Sequence, residues 1–588
     1  MNPASLHSIG RPTRQTCQMN GSEPHEAHRD LMARNLARMR SSPHNPSEKR
    51  QQREQRIPSL CIMLSVLSAV LALLAVSHGT TGNTDFKNRC LSLEPEKLVD
   101  NSQRMRLEYV TNGTTLEFPD NDASCNRATQ LVSTNLCRIA LYIATSERSG
   151  ITFELWLPEA WTEARYIATG NGGVDGCVKY EDLAYTTANG FAAMGTNNGH
   201  NGTTGVAFLH NPDVVEDFSY RALHTGTVAG KLLTKAFYNK PPAHSYFIGC
   251  SLGGRMGVKA AEAYPEDYDG IVAGCPAVDF LHLQGERAMF YPITGPVNSP
   301  NFITPDLWTG LIHNEVLKQC DLLDGVKDGI IENPGKCHFR PETLQCSKSK
   351  TSGCLNAQQV QQLRRIYAPY TFPDGSLIFP RMNPGNEEQA VKKFFAGAPF
   401  SYSQDWFRYV VLNDSTWDAI NYNSSLAAVA DAQNPFNIRT FPRALPSFKA
   451  RGGKMISYHG GQDNQITMFN TERFWDHMAS EDEDLHEYYR FFRVSGMFHC
   501  NSGPGPWAFG QGGGAPAQGI PFVKERNVMA AIVAWVERGQ APEGLEGTKF
   551  VNDTVGLGVD FKRVHCLYPK TQTYIGGNYK HASSWRCV

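Results

Sequence analysis

The sequence predicts an α/β fold interrupted by one large insertion, and three observations predict it. Strand-like and helix-like segments alternate from about residue 151, glycine-rich loops end several of the strands, and the alternation loosens over residues 291–440 before resuming. The 588 residues exceed one average domain, which leaves room for a large core, residues 80–290 and 441–588, around the insertion.

In chain order, residues 1–56 are rich in Arg, Pro, Ser, Gln and His, lack apolar periodicity and end in the charged run EKRQQREQR, which predicts a disordered leader. IPSLCIMLSVLSAVLALLAVS follows from Ile57 to Ser77, with its basic flank on the N-terminal side and small residues at Ala75-Val76-Ser77 for a signal peptidase. The run is also long enough to cross a bilayer. Residues 57–79 therefore read as a secretory signal or as an uncleaved membrane anchor, and membrane attachment follows only from the second. Both readings place residues 80–588 outside the cytosol, so a secreted, extracellular protein is expected.

Cysteine usage agrees. Thirteen of the fifteen cysteines follow Ser77, scattered with no CxxC array, which suits disulfides in an oxidising space and leaves one thiol over. Sequons at Asn112, Asn201, Asn413, Asn423 and Asn552 fit a glycosylated surface. A formal net charge of -1 gives no basis for nucleic acid or an anionic membrane as the main partner, and no fixed-period repeat suggests a solenoid or propeller.

ITFELWLP, RYIATG and GFAAMGTN read as strands, each ended by Gly, Pro or Asn. DFSYRALHTGTVAGKLLTKAFY is a helix leading to the strand HSYFIG. The G-x-S-x-G of Gly249 to Gly253 comes next, then the helix RMGVKAAEAY, stopped by Pro265, and the strand GIVAG. Small residues at 249 and 253 allow a strained strand-to-helix turn that exposes the Ser251 hydroxyl above the sheet. The helix N-terminus favours negative charge on a substrate oxygen there, with the Leu252 amide as one expected oxyanion donor. The second is expected from Asn171-Gly172-Gly173 after RYIATG, where Gly173 permits close backbone approach.

A serine hydroxyl needs a base, and the base needs a carboxylate to orient it; in this arrangement the chain order is Ser, acid, His. Past the insertion, KMISYHG delivers GGQD and hence Asp463, and His499 closes the predicted strand FFRVSGMFH. His459 precedes the acid on a strand that already supplies one, and reads as structural. Bringing Ser251 to His499 also brings Cys250 to Cys500, close enough for a disulfide that would clamp the base to the nucleophile.

The insertion holds two further signals. In CDLLDGVKDGIIENPGKC, Asp321, Asp324 and Asp328 crowd around Gly325 and Gly329, a charge density that is costly without a cation; hard oxygen donors favour calcium over zinc. Trp406, Phe407 and Tyr409 of QDWFRYVV either pack a planar acyl ring or form the core of a lid.

The set Cys250-Ser251, Asp463 and His499-Cys500 resembles the tannase and feruloyl esterase family, which carries it on an α/β-hydrolase core with a large inserted lid domain. The resemblance covers roughly residues 86–588 and rests on GCSLGGRMG, FPRALPSFKARGGKMISYHG, EYYRFFRVSGMFHC and the ending SSWRCV. TGNGGVDGCVKYEDL, GTNNGH, QNPFNI and RYVVLND look more like fungal type B feruloyl esterases than tannases. The chain departs from the pattern at Asn464, where a proline is common, and at Cys275 of AGCPAVD, where a small residue is usual; the latter marks Cys275 as the unpaired thiol.

The resemblance implies disulfides Cys90 with Cys137, Cys125 with Cys177, Cys320 with Cys337, Cys346 with Cys354, and Cys566 with Cys587. It implies a structural Ca2+ held by Asp321, Asp324, Asp328 and the carbonyls of Val326 and Ile330, and no organic cofactor. The expected function is a secreted serine hydrolase that releases ferulate and p-coumarate from small phenolic esters or feruloylated plant cell-wall polysaccharides. Gallate esters are the alternative substrate. A protein of another class, an inactive calcium-stabilised secreted binding protein, is opposed by the intact Ser251, Asp463 and His499.

Overall fold

The computed structural model describes residues 85–588. The expected leader and the apolar segment 57–79 lie outside the described residues. Nine strands form one sheet: β1 Ser102–Val110, β2 Leu136–Ala144, β3 Gly150–Pro158, β4 Arg165–Thr169, β5 Phe191–Thr196, β6 His244–Cys250, β7 Gly270–Gly274, β8 Lys454–Gly460 and β9 Tyr489–Val494. Their order is β1-β2-β3-β5-β4-β6-β7-β8-β9. The pairings from β1 through β3 to β5 are antiparallel, and those from β5 onward are parallel.

Parallel strands covered on both faces read as continuous apolar runs, because each successive side chain enters a different core. Phe247, Ile271, Met455 and Phe491 enter one apolar cluster, while their chain neighbours Ile248, Val272, Ile456 and Phe492 enter the other. Helix α1, Tyr180–Ala188, lies on the second face through Leu183 and Tyr185. Helices α2, Ala222–Tyr238, and α3, Leu252–Ala263, cover the first face through Leu233, Phe237 and Met256.

Between β7 and β8 the chain leaves the sheet. It enters α4, Phe280–Thr294, then a series of short helices and turns, with Phe290, Trp308, Phe395 and Trp406 joining the same cluster as Phe247 and Ile271. Trp308 stacks on Phe395 at 4.2 Å between ring centres, and Trp406 meets Phe280 edge-on at 4.9 Å. Truncating a fully buried ring such as Trp308 costs about 3–5 kcal/mol.

The ends of the insertion are pinned by charge. Asp279, buried at the start of α4, accepts from Arg439 Nε at 2.6 Å, from Arg473, and from His282 Nδ1 at 3.0 Å. His282 Nε2 in turn bonds Asp431 Oδ2 at 2.6 Å. Burial alone would raise the Asp279 carboxyl, but the His282 bond and the charges of His282, Arg473 and Arg439 hold it well below the usual carboxylate range.

After β9, helix α5, Val528–Arg538, packs Ile532 and Trp535 on the second face, and a hairpin of Gly544–Phe550 with Val559–Cys566 follows. Six disulfides join Cys90 to Cys137, Cys125 to Cys177, Cys250 to Cys500, Cys320 to Cys337, Cys346 to Cys354, and Cys566 to Cys587. Cys275 is a buried free thiol. The five sequon asparagines are all exposed, and among the described residues no helix is long and apolar enough to cross a membrane.

The sheet begins ahead of residue 151 with the antiparallel pair β1 and β2, and strands and helices alternate from β3 onward, where the sequence placed the start. Trp406 and Phe407 are fully buried, and Tyr409 faces a separate groove with Phe208 and Pro212, so these three belong to the packing of the insertion and not to an acyl pocket.

Candidate active site

Ser251 joins β6 to α3 with φ 64° and ψ -121°, a conformation most residues avoid. Three backbone bonds hold it there. Ser251 N donates to Gly274 O at 2.9 Å, and Ser251 O accepts from Arg255 N at 3.1 Å and Ala277 N at 3.0 Å. The turn is so tight that a Cβ on Gly249 would stand 2.7 Å from the Gly253 carbonyl carbon, which is why glycine occupies the position.

Asp463 follows the end of β8 and is 1% exposed. Its Oδ1 accepts from Gln465 N at 2.7 Å and Ile466 N at 2.9 Å; its Oδ2 pairs with His499 Nδ1 at 2.8 Å and stands 3.1 Å from His459 Nε2. Burial would raise this carboxyl, but the charge of His499 and the hydrogen bonds from His459 and His499 hold it well below the usual carboxylate range. His459 is fully buried, with Nδ1 2.8 Å from Thr471 Oγ1 and Nε2 3.0 Å from Ile466 O.

His499 does not close a strand, as the sequence suggested. β9 ends at Val494, and the turn after it brings the ring to Asp463. Asn464 secures that turn by accepting from His499 N at 3.3 Å, a bond that a proline side chain could not make.

Cys250 and Cys500, bonded with 6.0 Å between their Cα atoms, tie the serine turn to the histidine turn. Ser251 and His499 face the same cleft of about 640 Å³. Among the described residues no hydrogen bond joins Ser251 Oγ to His499; such bonds commonly tighten only with substrate in place.

Leu252 opens α3, so its N–H has no acceptor within the helix and is free for a ligand. Gly173 lines the cleft with φ +53°, and a Cβ there would lie 2.5 Å from Tyr402 Cζ. Tyr402, from the insertion, is thus laid directly on the glycine loop. Asn171 fixes the loop from behind, donating to Cys177 O at 3.0 Å and Thr196 O at 2.9 Å.

The family described as tannase and feruloyl esterase matches residues 137–406 and 438–588, which include every residue of this site. The chain belongs to that family. A probable feruloyl esterase B-2 of Aspergillus flavus is 52% identical over 489 residues, covering 82% of this chain and 94% of that protein. The crystal structure of feruloyl esterase B from Aspergillus oryzae is similar with a TM-score of 0.81 at 41% identity, over 86% of this chain and all of that one. Tannin acyl hydrolase from Aspergillus niger shares the fold, with a TM-score of 0.66 at 20% identity over 85% of this chain and 94% of that one. This member of the tannase and feruloyl esterase family therefore has the α/β-hydrolase architecture with an inserted subdomain.

The acidic turn of the insertion fits a hard cation. Asp321 Oδ1 accepts from Asp328 N at 3.3 Å and Gly329 N at 3.0 Å, and Asp324 Oδ1 accepts from Val326 N at 2.8 Å. Asp324 Oδ2 is buried without a partner. Burial and then the charges of Glu332, Asp328 and Asp321 push the Asp324 carboxyl up to about 7. Arg563 offsets part of the charge through Asp328 Oδ2 at 3.0 Å and Glu332 Oε2 at 3.1 Å.

Tyr402 was not singled out by sequence, nor were the side-chain roles of Asn171 and Asn464, which were named only as part of the glycine loop and as a departure from the family pattern. Each acts through a contact distant along the chain or through a backbone atom. Cys275 was singled out only as unpaired, yet its sulfur lies within 4.8 Å of ligand atoms of Asp463 and His499.

Proposed function

We propose that the protein is a secreted serine hydrolase of carboxylic esters that releases hydroxycinnamic acids, ferulate and p-coumarate, from plant cell-wall polysaccharides and small phenolic esters. The observation that carries the reading is the convergence of Ser251 and the Asp463–His499 pair, 2.8 Å apart at Oδ2 and Nδ1, on one cleft beneath a covalent clamp. The names borne by the Aspergillus flavus and Aspergillus oryzae relatives support the substrate class.

In this mechanism His499 Nε2 takes the Ser251 proton as Oγ attacks the ester carbonyl. Asp463 holds the Nδ1–H tautomer and offsets the imidazolium charge, while the amides of Leu252 and Gly173 bond the oxyanion. The alcohol leaves with the proton from His499, and water, activated by the same ring, hydrolyses the acyl-enzyme.

Asp321, Asp324 and Asp328, with the carbonyls of Val326 and Ile330, would hold Ca2+, which would neutralise the acidic turn and brace the insertion. The six disulfides and the exposed sequons support an extracellular, glycosylated protein.

The test is initial rates of residues 80–588 on methyl ferulate, methyl p-coumarate and methyl gallate, side by side with fluorophosphonate labelling. Preference for the cinnamates is expected. Preference for gallate would make the protein a tannase, and a Ser251 that neither turns over nor labels would identify an inactive binding protein.

A further inference from the structure

We propose that Cys275 Sγ, Asp463 Oδ and His499 Nδ1 form an inhibitory site for a thiophilic divalent metal, Zn2+ or Cd2+, that disables the base; the inhibition rests on the hydrolase reading above. Ligand atoms of these three side chains all lie within 4.8 Å of one another. Cys275 is fully buried and Asp463 is 1% exposed, and of the three ligands His499 lines the cleft. The position of Cys275 is set by its backbone, with φ +36° and its N–H donating to Tyr458 O at 2.7 Å.

The donor set determines the metal. One sulfur, one imidazole nitrogen and one carboxylate oxygen is a combination that zinc and cadmium accept and that calcium and magnesium do not. Donors bound at about 2.0–2.3 Å stand roughly 3.3–3.8 Å apart around a tetrahedral ion. The His499–Asp463 contact of 2.8 Å therefore opens slightly on binding.

Proton bookkeeping gives the inhibition. Without metal, Nδ1–H donates to Asp463 and Nε2 carries the lone pair that accepts the Ser251 proton. Metal bonded to Nδ1 shifts that proton to Nε2, so the ring stays neutral but offers Ser251 no lone pair. Cys275 gives up its S–H proton to solvent, so one proton is released for each metal bound. The enzyme is blocked even where the substrate pocket remains open.

Two experiments test this. Zinc titrations of initial rate, in excess Ca2+, compare the wild type with Cys275→Ala and Cys275→Ser, each normalised to its own metal-free rate. Half-inhibition is expected to need about tenfold more zinc, or beyond, in both variants. Separately, Co2+ titration of Ser251→Ala, which has no turnover but keeps all three ligands, is expected to produce a thiolate-to-cobalt charge-transfer band that is absent from Ser251→Ala/Cys275→Ser. Equal zinc sensitivity with and without Cys275, or no such band in Ser251→Ala, overturns the proposal. The cobalt readout does not depend on turnover, so failure of the hydrolase reading is distinguishable from failure of the site.

Discussion

Cys250 is bonded to Cys500 across 250 residues of chain, and each cysteine is the immediate neighbour of one member of the Ser251 and His499 pair. The covalent link therefore acts on the distance the chemistry needs. Replacing both cysteines with serine is expected to lower kcat by one to two orders of magnitude, about what misplacing a catalytic group costs. Stability should fall by roughly 2–5 kcal/mol. Stopped assays and urea unfolding check this; a double variant with wild-type kcat would remove the clamp from the mechanism.

Ser251 is held at φ 64° by the backbone bonds of its turn, in which its side chain takes no part. Ser251→Ala is expected to abolish turnover with the fold intact. Ser251→Gly should be equally inactive yet more stable by about 1 kcal/mol, since glycine adopts positive φ freely. Retained hydrolysis above a few per cent of wild type in either variant would end the assignment of the nucleophile.

Gly173 has no room for a methyl group, because Tyr402 lies 2.5 Å from where its Cβ would be. Gly173→Ala is expected to lower kcat about 100-fold, the cost of displacing one oxyanion donor, with a smaller change in KM. Removing the ring as well, in Gly173→Ala/Tyr402→Ala, should restore part of the loss. No recovery in the double variant would mean that the loop's backbone angle, and not the ring, sets the limit.

The His282 cluster makes stability depend on pH. Burial alone would lower the imidazole, but its bonds to Asp279 and Asp431 raise it above its ordinary value. A base raised in the folded state contributes its full stability below the unfolded pKa of about 6.5 and loses it as pH rises through the folded value. The melting temperature of the wild type should therefore decline as pH rises above neutrality, and the decline should be shallower in His282→Gln. Parallel curves for the two proteins would assign the pH dependence to other groups.

Much of the site was legible because it is written in short stretches. The serine turn, the two strand ends and the paired cysteines each sit within a few residues of one another, and the fold needs small residues there for steric reasons that a sequence exposes. The base was placed too close to its strand because SGMFH continues an apolar run that Gly496, at φ +60°, in fact turns. Tyr402 lay beyond reach, since its partner Gly173 is more than two hundred residues away and SYSQD around Tyr402 carries no local motif. Trp406 and Phe407 stayed open between acyl pocket and lid core in the sequence because aromatic clusters serve in both; only burial separates the two uses.

The continuity of Trp308, Phe395 and Trp406 with Phe247 and Ile271 limits how this architecture can be rearranged. A graft that exchanged lids between two esterases at the ends of β7 and β8 would cut through packed side chains, leaving holes on one side and clashes on the other. A workable chimera would have to carry α4 and the first-face residues of β6 and β7 with the lid. In evolutionary terms, such a lid diversifies in place, by substitution along its cleft edge, more readily than it is traded as a module.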